Sequence, residues 1–333
     1  MKIAIHHREG SFSDSWISYC KENNIKYGIV NAYDSDIITQ LEGYDAFLWH
    51  HHHGKYQDVL FAKQLLASLQ TGGKKIYPDY QTTWHFDDKV GQKYLLESIG
   101  TPLVPSYVFY DKESAMKWAK TTTFPKVFKL RGGAGAVNVK LVKNLRGCIR
   151  VINKAFSSGF SPYNRLNSLK DAYRIFKKTK NPLALFKVLG KLVVTPKGLK
   201  MLGTQKGYVY FQDFIPNNNY DIRLIVIGGQ YVYGMKRMNR DNDFRASGSS
   251  SFDYGNIPID AVKLVLETAQ RLKLQSAAFD IIYANKQPLI IELSYGFGTK
   301  GSSQCPGYWD KDLKWHEERF NPMDWIIGNV LKD

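Results

Sequence analysis

Four short apolar runs open the chain, KIAI (residues 2–5), KYGIVNA (26–32), DAFLWH (45–50) and KKIYP (74–78). Between them lie stretches with helical spacing around residues 16–23, 37–41 and 59–69. Strands that are apolar without alternation are buried on both faces, and strands alternating with helices form a parallel sheet. The expectation is a small open α/β domain. A further helix carries Asp88, Lys89, Gln92 and Leu95 and ends at Gly100, ahead of the breakers Pro102 and Pro105.

From Tyr107 onward the pattern changes. PSYVFY, PKVFKL and VNVKLV read as strands around a glycine-rich turn, RGGAGA (131–136). YVYFQDFI, YDIRLIVIGG and QYVYGMKRM read as antiparallel strands, with turns at 217–219 and 228–229. An amphipathic helix at 259–272 precedes a strand pair, FDIIYA and PLIIEL, joined by a turn at 285–287. The expected architecture is mixed α/β (α+β): a domain over 1–86, a linking helix and lid over 87–206 with a basic helical insert at 147–205, and an antiparallel-sheet subdomain over 207–333.

The net charge of +16 is concentrated. Residues 143–206 hold 15 Lys/Arg and one acid, Asp171, so the rest of the chain is close to neutral. Cys20, Cys148 and Cys305 are scattered, with no CxxC pair, which points to a reducing cytoplasm. No apolar run approaches the ~20 residues of a membrane span, and MKIAIHHREG lacks a signal-peptide core.

Several residues carry chemistry. Lys129 stands on an apolar strand just before Arg131, Gly132, Gly133 and Gly135, where a loop could close over polyphosphate oxygens; a plain hairpin is the alternative. The stretch Gln212, Asp213, Phe214, Ile215 is a strand exit or a purine slot, with Asp221 placed to take ribose hydroxyls. Asp280 and Glu292 punctuate two apolar strands expected to pair. Adjacent carboxylates repel unless a cation neutralises them, which suggests Mg²⁺ beside phosphates, and surface acids are the alternative. Arg223, Arg237 and Arg245 alternate with apolar residues, as solvated strand faces or as a site for a carboxylate and a transferring phosphoryl group.

The order of these parts resembles the ATP-grasp ligases, with closest likeness to the glutamate-adding, RimK-like branch. The likeness is specific from about Phe124 to Ser294, apart from the basic insert. It implies an ATP-grasp fold with an N-terminal pre-ATP-grasp domain. It also implies ATP and Mg²⁺ as cofactors, and a small-molecule or glycan-linked carboxylate joined to an amine through an acyl phosphate. By resemblance, Lys89 and Lys129 meet the nucleotide, Asp213 and Phe214 frame adenine, and Asp221 holds ribose. Arg245 and Ser247 would approach the γ-phosphate, Arg223 and Arg237 the substrate, and Asp280 and Glu292 the metal. One departure stands at the second metal position, where the family has Glu-x-Asn and this chain has Glu292-Leu293-Ser294. An ATP-grasp kinase acting on an acidic hydroxyl substrate and a non-catalytic nucleotide-binding module are the rival classes.

His6 and His7 follow the first strand and His50–His53 the third, where open α/β sheets place ligands; the expectation is a substrate-facing rim. The tail after Ser294 is expected to line the acceptor site; Tyr308, Trp309 and Trp315 would suit a sugar of the envelope or capsule, with packing as the alternative. In the basic insert, Leu183, Leu185, Phe186 and Leu189 interleave with Lys187 and Lys191 in the manner of an interfacial helix. A peripheral contact with an anionic membrane is expected there, a packed helical insert with solvated lysines being the alternative. Few aromatics and no binding motif argue against nucleic acid. Nothing in the sequence sets an oligomeric state.

Overall fold

The computed structural model describes residues 1–133, 138–161, 201, 203–240, 243–246, 248 and 251–332, without the side chain of Lys300. Gly135, Ser247 and most of the basic insert therefore lie outside the described residues. The strands that are described form three sheets.

The first sheet contains β1 (Lys2–His6), β2 (Lys26–Val30), β3 (Ala46–Trp49) and β4 (Lys75–Tyr77), parallel throughout in the order β2-β1-β3-β4. The helices between them are α1 (Phe12–Glu22), α2 (Ile37–Gln40) and α3 (Tyr56–Thr71). Successive side chains on β1 bury in opposite directions, as the pleat requires. Ala4 joins Phe47, Trp49 and the α3 residues Ala62 and Leu66, whereas Ile3 and Ile5 join Trp16 and Tyr77. Two helices follow, α4 (Tyr80–Thr83) and α5 (Lys89–Ser98), each capped by an aspartate side chain, Asp79 and Asp88.

The second sheet is antiparallel: β5 (Ser106–Phe109), β6 (Lys126–Lys129), β7 (Lys140–Val142) and β8 (Val209–Asp213), ordered β5-β8-β6-β7. It is backed by α6 (Lys112–Thr121) and α7 (Leu145–Ala155), whose Ala115, Ala119, Cys148 and Ile152 pack on Phe128 and Phe211. Two expectations change here. The YVYFQD strand pairs with the glycine-turn hairpin, not with the two strands that follow it in sequence. The segment at 147–160 is not part of an insert: α7 and Phe160 complete the core of this sheet because Cys148, Ile152 and Ala155 recur at helical spacing. Phe160 and Gln205 then exchange two backbone hydrogen bonds of 2.9 and 3.0 Å, so the excursion leaves and re-enters at one point.

The third sheet is the largest. It comprises β9 (Tyr220–Ile227), β10 (Tyr231–Met238), β11 (Phe252–Asp253), β12 (Ser276–Ala284), β13 (Gln287–Ser294), β14 (Tyr308–Trp309) and β15 (Trp315–His316). Its order is β13-β12-β9-β10-β14-β15, with β11 on β10. Asn285 and Lys286 both have positive φ, 50° and 65°, which lets the β12–β13 hairpin close in two residues. On one face, Leu224, Val226 and Phe279 meet Val262, Val265 and Ala269 of α8 (Ile259–Arg271). On the other, Ile225, Ile227, Tyr233 and Ala278 share a core with Ile3, Trp16 and the final helix α10 (Pro322–Lys332), reached after the short α9 (Thr299–Ser302). That second face continues, past its apolar stretch, into the polar site.

Candidate active site

Period-two alternation decides which polar residues meet. Asp221 and Arg223 share the face of Ile225 on β9, Arg237 that of Tyr233 on β10, and Asp280 that of Ala278 on β12. Cross-strand register then sets Arg223 opposite Asp280, Arg237 opposite Asp221, and Asp280 opposite Glu292. Arg223 forks onto Asp280 with Nε–Oδ1 2.8 Å and Nη2–Oδ2 2.9 Å. Arg237 forks onto Asp221 at 2.6 Å through both nitrogens and reaches Asp280 Oδ2 at 2.8 Å. Burial works to raise the Asp280 carboxyl, but the Arg223 and Arg237 guanidiniums hold it well below the usual carboxylate range.

These contacts correct part of the sequence reading. The repulsion between Asp280 and Glu292 is relieved by protein cations, so it is no longer an argument for a metal. Arg237 is 5% exposed and is spent on two carboxylates rather than turned to a substrate. Arg245 forks onto Asp243, with Nε 2.9 Å from Oδ1 and 2.8 Å from Oδ2, and Arg131 pairs with Asp88 at 2.5 Å.

The two lysines are placed differently. Lys129 is 7% exposed, and its ammonium donates to the neutral Gln212 Oε1 at 2.6 Å. Burial lowers its pKa to about 8, against the pull of Glu292. Lys89 Nζ lies 3.4 Å from Glu292 Oε2 and 3.0 Å from the Gly133 carbonyl. Burial would depress the Lys89 ammonium, yet Glu292 and Asp87 carry it above its ordinary value. Glu292 is itself held low against burial by Lys89 and Lys129.

One cleft runs between the lid sheet and the large sheet. Lys89, Lys129, Gln212, Asp213, Phe214, Ile215, Asp221, Arg245, Asp280, Glu292 and Gly133 all line it. Phe214 meets Phe244 edge-on at 5.8 Å across its apolar end. Arg223 adjoins it through Asp280, while Arg131 and Gly132 stand at the loop base. Ser294 follows Glu292 on the same face, and its hydroxyl donates to the Gly296 carbonyl at 2.6 Å, leaving its lone pairs open. Among the described residues no group of three or more His, Cys, Asp or Glu could hold a metal. Two neighbouring carboxylates fit Mg²⁺, which takes few protein ligands together with phosphates and water.

Sequence reasoning missed two residues. Lys126, 4% exposed, pairs with Asp213 at 2.5 Å and fixes the strand exit. Asp87 accepts from the Gly133 amide at 2.8 Å, and the Lys89 amide donates to the Arg131 carbonyl at 2.9 Å, so the base of the glycine turn is docked on the start of α5. The Lys126–Asp213 pair would have followed from the β6–β8 register, had that pairing been read.

The histidine rim is largely structural. His6 Nδ1 accepts from the Ala32 amide, and His51, 2% exposed, bonds Thr83 Oγ1 at 2.5 Å. His52 and His53 are half-buried, and His53 feels both Lys89 and Glu292. In the tail, Tyr308 stacks on His316 and Trp309 packs on Trp315, so these rings serve packing.

A parallel-sheet domain, a glycine-turn lid carrying Lys129 and a large antiparallel sheet bearing paired carboxylates together make the ATP-grasp fold. An ATP-grasp protein, "RimK domain protein ATP-grasp" from Sphaerobacter thermophilus DSM 20745, superposes with TM-score 0.62 over 99% of both chains at 14% identity. D-alanine–D-alanine ligase from Bacillus anthracis complexed with ATP gives TM-score 0.59 over 100% of this chain and 97% of that one, at 14% identity. The model of the RimK-like ATP-grasp domain family matches residues 190–309. "Probable alpha-L-glutamate ligase 1" of Shewanella sp. (strain W3-18-1) is 30% identical over 105 residues, 31% of this chain. The match spans 35% of that relative's length.

Proposed function

We propose that the protein is an ATP-dependent carboxylate–amine ligase. The observation that carries this reading is the pair Asp280 and Glu292, in register beneath Lys89 and Lys129 in the cleft under the glycine turn. Lys129 and Lys89 would meet the phosphates of ATP, with Asp213 to Ile215 and Phe244 around the base. Asp280 and Glu292 would hold Mg²⁺, which when bound supplies charge neutralisation on the phosphates. A substrate carboxylate oxygen attacks the γ-phosphorus, and the bond to the ADP oxygen breaks. An amine then attacks the acyl carbon, phosphate leaves, and the amine proton is lost. The glycine turn, docked at its base, would keep water from the acyl phosphate. The glutamate ligase match makes L-glutamate the first substrate to try.

If the acyl phosphate forms, hydroxylamine should yield a hydroxamate that depends on both ATP and a carboxylic acid. Phosphorylation of an alcohol, with no hydroxamate from any acid tried, would replace the ligase reading with a kinase. An envelope or capsule glycan as acceptor has lost its residue-level support, because the tail aromatics pack against their neighbours.

The basic composition of 161–204 supports a peripheral contact with anionic membrane, at about 1 kcal/mol per basic residue near the surface. Among the described residues no helix is long and apolar enough to cross a membrane. Sedimentation with phosphatidylserine vesicles should exceed that with neutral ones and fall with salt. Equal binding to both rejects the contact.

A further inference from the structure

The carboxyl edge of the parallel sheet holds two hydrogen-bond donors that the ligase reading does not use. His50, 9% exposed, stacks flat on Phe12 at 3.7 Å and 9°, and its Nδ1 accepts the Phe12 amide at 3.2 Å. That acceptor role assigns the proton of the neutral ring to Nε2. Burial, aided by the Arg8 charge, lowers the His50 pKa to about 3, so the ring stays a neutral donor. Nε2 has no partner among the described residues, and it faces Gly296, where a Cβ would sit 3.4 Å away.

Arg8 supplies the second donor. Its backbone is fixed by Ser13, whose Oγ accepts the Arg8 amide and bonds the Arg8 carbonyl. Its half-buried guanidinium makes no ion pair among the described residues, and its buried Nε is unsatisfied. The nearby carboxylate of Asp58 is already taken, by Tyr33 OH at 2.5 Å and the His52 amide at 2.6 Å. A buried donor left unmade is costly, and Arg8 Nε is one, so this cation beside a neutral imidazole N–H without a partner invites an anion.

We propose that Arg8 and His50, with Gly296 leaving the opening, form a binding site for a single substrate carboxylate, separate from the nucleotide cleft. One cation and one neutral donor match the charge of a carboxylate, and the planar guanidinium matches its two oxygens; a phosphate dianion would be left under-neutralised. The site stands at the loop after Glu292, so its occupant would reach toward the cleft. That the occupant is a substrate rests on the ligase reading; that the site binds carboxylate does not.

Glutarate is the probe, with glutaramide as its uncharged counterpart, titrated by calorimetry into the full chain without ATP. Glutarate should bind and glutaramide should not. Arg8→Gln should weaken glutarate about tenfold or more, as loss of a hydrogen bond to a charged group does. Gly296→Ala introduces only an ordinary contact at a backbone angle open to alanine, so it should fold and still cover Nε2. It should weaken glutarate similarly, with ATP affinity unchanged in both variants. No glutarate binding to the parent protein, or equal binding in both variants, overturns the proposal. Glutarate binding without ATP-dependent hydroxamate from any acid would leave the site in place and count against the ligase reading alone.

Discussion

Replacing Arg237 with methionine is expected to lower stability by about 3–5 kcal/mol, the cost of breaking a buried ion pair from one side. Asp221 would lose both of its 2.6 Å bonds and Asp280 one of 2.8 Å, with no water-facing route for the charge. Urea unfolding of the purified variant measures this as a lower midpoint at unchanged slope. Adding Asp221→Leu should recover much of the loss, because the second uncompensated charge goes with it. A loss under about 1 kcal/mol in the single variant would mean that the pair behaves like an exposed one. The outcome also separates scaffolding from substrate contact, since a substrate-facing arginine would cost turnover and little stability.

Glu292→Gln should behave in the opposite way. Glu292 is tied to Lys89 by one 3.4 Å contact, so the fold should survive with a small change in melting temperature. ATP-dependent turnover should fall by at least about a thousandfold, corresponding to ~4 kcal/mol of lost stabilisation of the transferring phosphoryl group. ADP release measured with the hydroxylamine assay reads this directly. Turnover within about tenfold of the parent would remove Glu292 from the metal and phosphate role.

Much of the fold was legible because burial leaves a periodic trace. The unbroken apolar runs of β1 and β3 announced a sheet covered on both faces, and two residues with positive φ at 285–286 closed a hairpin readable from FDIIYA and PLIIEL. The partner of each polar residue was not legible, since it depends on register between strands far apart in sequence. Arg223 and Asp280 are 57 residues apart, and Lys126 and Asp213 are 87 apart. For the same reason, the three arginines looked available to ligands when each was read alone. Composition misled at α7, where a helix was expected but the charge run hid the apolar stripe that seats it in the core.

The backbone bridge between Phe160 and Gln205 has an evolutionary reading. A chain that exits and returns through two hydrogen bonds leaves its host sheet indifferent to what is spliced between them, since among the described residues no strand of the lid lies between Phe160 and Gln205. Lengthening a connection whose ends are held together costs only about 0.6 kcal/mol per doubling. Residues 162–204 could therefore be acquired, recharged or exchanged between lineages while the lysines and carboxylates of the cleft stay under separate selection. What the insert touches and what the cleft does can then drift apart.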